Sequence, residues 1–566
     1  MKVKTLMLGA AAAFALAPAA MAERGSDGHV NIIYWQAPSI LNPYLSGGTK
    51  DIESASLTIE PLARYDETGA LVPFLAQEIP TVGNGGVSED LTSITWKLQE
   101  GLVWSDGSAV TSADVVFTAA YCMHPEGGCA QASFFDGVDS VDAIDDLTVK
   151  VTFSAPKPNP YGPFVGGQSP IIQKAQFENC MGAKAPECTA ENFGPIGTGP
   201  FVVTDFRTND VIQFEANPNY RDPAKPAFAT VTFKGGGDAT GAGRAVLETG
   251  EFDYAWNLQL APDVIAKMEE GGKGKAIAGF GPLVERLEMN LTNPSSDLAE
   301  GERSTVAHPH PFLSDMNVRK ALSMAIDREL LVEIGYGKAG KVTCDVVPVP
   351  ANYAANNDYC MTQDIAGANA LLDEAGWVKG GDGIRAKDGV KLSILYQTST
   401  NAVRQDFQAL IKQWWSEIGV ETELRNLSAS VFFGGDPGSP DTFQKFYADV
   451  EMYANTFNGT DPQQYLAAYR CGNEPKPDSQ WQGENINRFC DPAYDALIDE
   501  LAQTGDIEKR GEIAKKMNDM LTKDSYTIVP LVHRGRVSAH ANSLGGVKLN
   551  VWDSELWNVA DWYRMK

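Results

Sequence analysis

The sequence has few of the residues and motifs that catalysis and metal binding most often use. Only six of its 566 residues are histidines, and one close pair, His308 and His310, lies in a His-Pro-His-Pro segment without metal-ligand spacing. The nucleophile pattern G-x-S-x-G does not occur. The stretch 335–341 fits G-x-x-x-x-G-K, but Val342 stands where a phosphate loop needs a hydroxyl. The sequence therefore offers no positive evidence for an enzyme, a metal site or a cofactor.

Positive charge is also scarce relative to negative charge. Lys and Arg number 46 against 73 Asp and Glu, which gives a formal net charge of −27. Nucleic acids and anionic membrane surfaces bind through basic patches, so we expect neither of them as a partner. The acidity does not require a cationic ligand, because a solvated acidic surface is the simpler explanation.

Long apolar runs are missing, and the N-terminus carries the three parts of a secretory signal peptide instead. Two lysines near the start precede an apolar run from Leu6 to Ala17, and Ala20-Met21-Ala22 offers small residues to a signal peptidase. The run is too short for a membrane anchor. We predict that residues 1–22 are removed by cleavage after Ala22. The first cysteine is Cys122, so no lipid attachment is expected, and the mature protein should be soluble in the periplasm.

The chain contains eight cysteines, which fall into four close pairs. An even number of cysteines in an exported chain indicates disulfides. The alternative is a metal site, but the C-x-x-C spacing does not occur. The sequence alone allows several connectivities, of which neighbour-to-neighbour bridging is the simplest, and each bridge would then close a short loop. The candidate pairs are Cys122 with Cys129, Cys180 with Cys188, Cys344 with Cys360, and Cys471 with Cys490.

Strand and helix patterns are mixed along the mature chain, whose roughly 540 residues exceed what one hydrophobic core holds. Runs rich in β-branched residues predict strands at 30–35, 94–98, 147–153, 391–396, 421–427 and 528–533. Apolar spacing and capping residues predict helices at 112–121, 317–334, 401–418, 492–501 and 507–521. The strand–helix–strand succession 391–427 predicts a parallel pair under a crossover helix. The fold class is therefore α/β, with at least two lobes and a binding crevice between them.

Several segments carry a more specific pattern. Residues 96–107 read WKLQEGLVWSDG and are followed by VTSADVVF at 110–117. Further along come GTGPF at 197–201, VRKAL at 318–322 and AGW at 375–377. This order of motifs resembles the extracellular solute-binding proteins of family 5, which are the oligopeptide- and dipeptide-binding proteins of ABC importers. The resemblance covers essentially the whole mature chain.

The resemblance implies a periplasmic binding protein-like fold of the class II, cluster C type, with two lobes, a hinge and three domains. Domain I would combine residues 23–62, 195–290 and 530–566, domain II would be an insertion over 63–194, and domain III would span 291–529. Ligand binding would close the lobes about the hinge, as in other periplasmic receptors. The closed form would then be recognised by an ABC transporter permease in the inner membrane, and the receptor is expected to be a monomer.

Ligand contacts in peptide-binding members precede an Asp-Pro-like turn, which corresponds here to residues 453–462. Their ammonium-binding aspartate corresponds to Asn458, an expected tryptophan to Asn455, and an arginine of some members to Met452. Asparagine offers a donor and an acceptor but no charge. The pocket would then suit a neutral polar solute, or a peptide held mainly by backbone hydrogen bonds. Asp461 could bind an amine, although capping the following helix is its simpler role.

The candidate ligand-binding residues come from two stretches of the chain. Tyr34, Trp35 and Gln36 end the first predicted strand and Tyr44 follows it, where aromatic rings could stack on a ligand or simply pack in the core. The second stretch supplies Tyr453, Asn455, Phe457, Asn458 and Asp461.

Three functions remain open on the sequence. The first is capture of di- or oligopeptides for an ABC importer. The second is capture of a non-peptide solute, such as an oligosaccharide or an opine-like compound, by the same fold, and the missing charged anchors motivate it. A secreted hydrolase is the remote third. We predict no catalytic residue, no metal and no cofactor.

Overall fold

The computed structural model describes residues 23–565 of the chain. The predicted signal peptide, residues 1–22 with its cleavage after Ala22, lies outside the described residues. Two large β-sheets with flanking helices dominate the structure, and several small sheets surround them. Among the helices of this part of the chain, none combines the length and apolar character that crossing a bilayer requires.

The first lobe is built on a seven-stranded sheet whose strands come from three distant parts of the chain. His29–Tyr34, close to the strand predicted over 30–35, lies near its centre and pairs in parallel with strands on both sides. Buried and less buried residues alternate along this strand. The order across the sheet is Gly274–Gly279, Arg536–Ala541, Tyr254–Ala255, His29–Tyr34, Thr230–Gly235, Val211–Ala216 and Phe201–Arg207.

The second lobe is built on a six-stranded sheet that contains the predicted strand–helix–strand unit. Ser393–Ser399 and Glu421–Leu427 pair in parallel, and the helix Ala402–Glu417 connects them. The side chain of Asn401 accepts a hydrogen bond from the Arg404 amide at 2.8 Å and so caps this helix. The prediction for this unit is confirmed. The order across the sheet is Gly340–Val342, Ile528–Arg534, Val284–Met289, Val450–Asn455, Ser393–Ser399 and Glu421–Leu427.

One predicted helix is wrong. The sequence predicts a single helix over 317–334, whereas the structure has two, Met316–Met324 and Arg328–Gly335. Asp327 lies between them in an extended conformation, and its carboxylate accepts a hydrogen bond from the Leu330 amide at 3.0 Å. The aspartate therefore caps a new helix, and the backbone is interrupted although the apolar pattern continues across it.

A third unit contains the segment that carries the longest family-like motif. Ser93–Lys97, Thr148–Phe153 and Val138–Asp145 form a three-stranded sheet against the helix Ser112–Cys122, close to the predicted bounds. Smaller strands pair as Ala63–Tyr65 with Leu71–Pro73, Arg385–Lys387 with both Val378–Lys379 and Val390–Lys391, and Leu544–Gly545 with Tyr563–Arg564. The remaining α-helices are Thr49–Ala55, Lys174–Phe177, Thr189–Phe193, Ala239–Leu247, Pro262–Glu269, Ile365–Glu374, Ala429–Phe432, Gln463–Ala467, Pro492–Gln503 and Ile507–Leu521.

The eight cysteines form four disulfides between sequence neighbours, as the simplest hypothesis predicts. Each bridge closes a loop of at most 19 residues, so each constrains only its own neighbourhood. The bonded pairs are Cys122–Cys129, Cys180–Cys188, Cys344–Cys360 and Cys471–Cys490.

The chain passes directly from one large sheet to the other at two adjacent places. Residues 280–283 connect Gly274–Gly279 to Val284–Met289, and Gly535 alone separates Ile528–Arg534 from Arg536–Ala541. The two crossings are hydrogen-bonded, because the Arg534 amide donates to the Leu283 carbonyl at 3.1 Å. The predicted domain boundaries at 290 and 530 fall close to these crossings, although Val284–Met289 and all of Ile528–Arg534 pair within the second lobe. The division into domains I, II and III stays a prediction.

Candidate functional site

A cleft opens between the two lobes beside the crossings, and we call it the interlobe cleft. It holds about 800 Å³ of empty space, part of which is open solvent. The first lobe contributes Gln36, Trp256, Asn257, Arg536 and Glu555 to its walls. The second lobe contributes Arg404, Phe433, Phe443, the stretch 453–456, Glu484 and Arg534.

Aromatic rings give the cleft a rigid apolar surface on both walls. On the first lobe, Trp256 stacks on the buried ring of Tyr34, with ring centres 4.6 Å apart. On the second lobe, Phe443 packs edge-on against Tyr453 at 5.4 Å and Phe433 at 5.8 Å. Rings held in this way can pack against ligand side chains at little cost in conformational entropy.

The second lobe also presents a free strand edge to the cleft. Val450–Asn455 pairs along its whole length with Val284–Met289, but with Ser393–Ser399 only over Val450–Met452. On the side of Ser393–Ser399, the backbone of 453–455 therefore has no strand partner among residues 23–565. The same residues line the cleft. An extended ligand backbone can hydrogen-bond to an edge of this kind, as in other cases of strand addition.

A buried ion cluster around Glu285 holds the side chains of Arg404 and Arg534 in place. Glu285 accepts from the Arg404 Nε at 2.7 Å and from the Tyr336 hydroxyl at 3.1 Å, and Arg534 lies 3.6 Å away. Burial opposes ionisation of Glu285, but Arg404 and Arg534 outweigh it and lower the pKa of this carboxyl. Arg404 also donates to the Ser399 hydroxyl at 2.7 Å. Most donors of Arg404 are thus already used inside the protein.

A second charged cluster lies on the first lobe, at the base of the cleft. Glu555 accepts from the Tyr254 hydroxyl at 2.5 Å and from the Ser538 hydroxyl at 2.6 Å. Arg536 donates to the Asp553 carbonyl at 3.1 Å and reaches Glu53 only at 3.5 Å. Burial and the neighbouring Glu555 raise the pKa of Glu53. This cluster places a guanidinium in the cleft beside an acidic pair.

Glu484 differs from both clusters because none of residues 23–565 forms a hydrogen bond or ion pair with its carboxylate. It lies in the loop closed by Cys471–Cys490 and is partly exposed. Within the described residues, no hydrogen-bond donor or cation contacts its side chain at bonding distance. Burial raises the pKa of Glu484 to about 7, against a lowering by the more distant Arg286. The carboxylate therefore faces open space in which it is poorly solvated.

Comparison with known protein families identifies the chain. The model for "Bacterial extracellular solute-binding proteins, family 5 Middle" matches residues 70–476. The chain belongs to the family 5 solute-binding proteins.

Individual proteins are similar over about 70% of the chain. Protein XP55 of Streptomyces lividans is 28% identical over 396 residues, which cover 70% of this chain and 66% of that protein. The oligopeptide-binding protein AppA of Bacillus subtilis is 26% identical over 392 residues, 69% of this chain and 67% of AppA. The chain thus spans about two thirds of the length of these two relatives.

Solved structures share the fold. The structure of Bacillus subtilis AppA in complex with a nonapeptide matches with a TM-score of 0.81 at 22% identity, over 96% of this chain and 100% of AppA. The binding protein AgaA of A. tumefaciens R10 in complex with agropinic acid matches with a TM-score of 0.76 at 19% identity, over 95% and 99%. The predicted periplasmic binding protein-like α/β fold is confirmed.

The structure places three of the nine predicted site residues in the core of this family 5 protein. Tyr34 is fully buried among first-lobe residues. Trp35 is buried, and its Nε1 donates to the Asn257 carbonyl at 2.9 Å. Tyr44 is fully buried in the third unit, where its hydroxyl donates to the Pro170 carbonyl at 2.6 Å. Core packing, the simpler of the two interpretations, describes all three rings.

The other six predicted residues lie at two neighbouring cavities. Gln36, Tyr453 and Asn455 line the interlobe cleft. Phe457, Asn458 and Asp461 line a smaller space of about 440 Å³, which we call the side cavity. The cleft and the side cavity meet at Thr456 and Glu484, which line both. Met452 is fully buried in the second lobe and does not line the cleft.

Asp461 is occupied by contacts inside the protein. Its carboxylate accepts from Arg510 at 2.6 Å and from the Tyr353 hydroxyl at 2.8 Å. It also accepts from the Gln463 amide at 3.0 Å, at the start of the helix Gln463–Ala467. Asp461 thus bonds the first amide of this helix from one residue before the N-cap, which is Pro462, and it is not itself the capping residue.

Sequence reasoning missed several residues that line the cleft. Arg534 and Arg536 flank a glycine within an otherwise apolar strand pattern, and two charges at such a place were a usable signal. Trp256 directly follows the short strand Tyr254–Ala255, and Arg404 lies in the helix Ala402–Glu417, so nothing local distinguished either residue. Glu484 lies in an irregular loop, and only the tertiary structure brings it to the cleft.

Proposed function

We propose that this protein is a periplasmic receptor that captures peptides in the interlobe cleft and delivers them to the permease of an ABC importer. In this proposal the signal peptide is removed after Ala22, and the mature protein acts as a soluble monomer without catalytic activity. Membership of family 5 supports the receptor role. The names of the relative AppA, an oligopeptide-binding protein, and of its nonapeptide complex support a peptide as ligand.

The observation that carries the proposal is the free strand edge at 453–455 inside a cleft walled by both lobes. A peptide in extended conformation can pair with this edge through main-chain hydrogen bonds, which do not depend on its sequence. The aromatic walls, with Trp256 on one side and Phe443 on the other, can accept varied side chains. This combination favours a peptide over a rigid sugar.

Delivery of the ligand to the permease requires that the ligand-bound receptor differ in conformation from the empty receptor. The two chain crossings, at 280–283 and at Gly535, lie next to the cleft and would serve as the hinge. Arg534 and Arg536 flank Gly535 and line the cleft. A ligand that contacts both arginines would bridge the lobes at the hinge and favour the closed form.

Native mass spectrometry of gently purified mature protein, followed by denaturation and identification of released compounds, tests the proposal. We expect a heterogeneous set of short peptides. Protein stripped by unfolding and refolded is the matched control, and it should regain the added mass on incubation with a synthetic peptide pool. A single non-peptide compound, with no uptake from the peptide pool, would contradict peptide capture.

A second candidate function is capture of a small polycarboxylate such as an opine. The observation that favours it is the presence of three guanidinium groups in one cleft, those of Arg404, Arg534 and Arg536. The fold neighbour AgaA was solved with agropinic acid. Calorimetric titration of stripped protein with an opine, in parallel with the peptide pool, separates the two candidates. The ligand should be recovered chemically unchanged, whereas turnover would indicate a hydrolase.

A further inference from the structure

We propose that Glu484 binds an organic cationic group of the ligand, either a primary ammonium or a guanidinium. This inference rests on the proposed capture of peptides and names the chemical group that its cleft selects. It is motivated by a carboxylate that lines the cleft and yet has no partner within residues 23–565.

Glu484 occupies the point where three cavities meet. It lines the interlobe cleft, the side cavity and a third cavity of about 930 Å³. The walls of this third cavity come from the loops closed by Cys122–Cys129 and Cys471–Cys490, which touch each other where Gln480 donates to the Glu126 carbonyl at 3.1 Å. When one group of a ligand binds Glu484, the rest of the ligand can therefore extend into more than one cavity. This geometry suits a cation on a chain-like molecule.

Most other charged side chains around these cavities are held by contacts within the protein, whereas Asp478 is exposed to solvent at the third cavity. Arg404 is paired with Glu285, Asp461 with Arg510, and Lys476 with Glu474 at 3.4 Å. The nearby Arg286 donates to the Tyr465 and Tyr469 hydroxyls and pairs with Glu288 at 2.6 Å. The charged or titratable groups that line the three cavities with Glu484 are Arg404, Arg534, Arg536, Glu555, Asp461, His124, Glu474, Lys476 and Asp478.

A ligand cation would supply what Glu484 lacks. An ionised carboxylate in a poorly solvated place is costly unless a charge or several donors compensate it. Burial raises the pKa of Glu484 to about 7, as expected for a carboxylate without such compensation. An ammonium or guanidinium within bonding distance would lower this pKa again. A charge-assisted hydrogen bond would form at the same step.

The cation can come from two parts of a peptide, its N-terminal ammonium or a basic side chain. Four sets of tetrapeptides separate these sources: free or N-acetylated peptides of alanine and phenylalanine, and the same two sets with one interior lysine. Stripped protein is titrated with each set by calorimetry, as wild type and as E484Q. The glutamine keeps the size of the side chain and removes its charge.

We expect E484Q to lose at least tenfold in affinity for the set whose cation Glu484 binds. Its affinity for the acetylated set without lysine should stay within about twofold of wild type. The variant E248Q is the matched control, because Glu248 is also partly exposed but is ion-paired with Arg244 at 3.1 Å on the first lobe and lines none of the three cavities. E248Q should bind every set like wild type.

The outcomes separate this inference from the function on which it rests. If wild type binds peptides and E484Q binds each of the four sets as tightly as wild type does, the inference is overturned while peptide capture stands. If wild type binds none of the sets, peptide capture fails and the inference fails with it. A loss confined to free N-termini assigns Glu484 to the α-ammonium, and a loss confined to lysine-containing sets assigns it to a basic side chain.

Discussion

Glu285 and Glu484 are two carboxylates of the second lobe that lie near the same cleft in opposite electrostatic situations. Glu285 is fully buried but is bonded to Arg404 and Tyr336 and lies close to Arg534. Glu484 is partly exposed to the cavities and has no bonded partner in the described part of the chain. The pKa of the first is lowered by its arginines, whereas burial raises the pKa of the second to about 7.

The difference shows how a receptor of this kind divides its charges between structure and ligand. A buried carboxylate with bonded cations is part of the fold, and removing it leaves those cations uncompensated. A carboxylate left without a partner at a cavity is unfavourable in the empty protein, and it becomes favourable only when a ligand arrives. Substitution of Glu285 should therefore lower the stability of the protein, whereas substitution of Glu484 should lower its affinity for the ligand without a loss of stability.

The largest effect is expected for E285Q. The substitution leaves the buried Arg404 and Arg534 without their carboxylate, and breaking a buried pair in this way typically costs about 3–5 kcal/mol. Chemical denaturation of stripped protein should show a lower free energy of unfolding by that amount. E484Q, measured in parallel, should show no loss. A loss below about 1 kcal/mol for E285Q would contradict the structural role assigned to this cluster.

The next effect concerns pH and affinity. Glu484 must be ionised to bind a cation, so below pH 7 binding must first remove its proton. The affinity of wild type for its cationic peptide set should therefore fall by up to about tenfold per pH unit between pH 7 and pH 5. E484Q should show a flat profile for the same peptides in the same buffers. Because Glu53 and Glu555 are present in both proteins, a slope that persists in E484Q would point to them instead.

A smaller effect is expected on the stability of the empty protein. The folded-state pKa of Glu484, about 7, lies above the usual value for glutamate, so the folded protein holds this proton more tightly than the unfolded chain does. The stability contributed by the bound proton is complete below about pH 4 and is lost as pH rises through 7. At pH 8, stripped E484Q should melt about 2 °C above wild type, and at pH 4 the two should coincide. Equal melting temperatures at pH 8 would indicate that Glu484 is well solvated.

Features that depend on neighbours in the chain could be predicted from the sequence, whereas features that depend on distant segments could not. The strand–helix–strand unit over 393–427 follows from apolar periodicity, and the disulfides follow from close cysteine spacing, because both depend on neighbours in the chain. The helix break at Asp327 was missed, since an apolar pattern ran across it and the competing signal was a single capping residue. The cleft combines distant segments, such as Trp256, Arg404 and Glu484, and no local pattern records which of them meet.

The smallest effect concerns Tyr34, which the sequence suggested as a ligand contact and which the structure buries in the first lobe. Among the described residues its hydroxyl has no hydrogen-bond partner, although its ring stacks on Trp256, which does line the cleft. Y34F keeps the ring and removes the unpaired hydroxyl, so the free energy of unfolding should stay equal or rise by at most about 1 kcal/mol. Peptide affinity should be unchanged in the same calorimetric titration. A clear loss of affinity with unchanged stability would show that the hydroxyl contacts the ligand in the closed form. Tyr34 would then be a ligand-binding residue as well as a core residue.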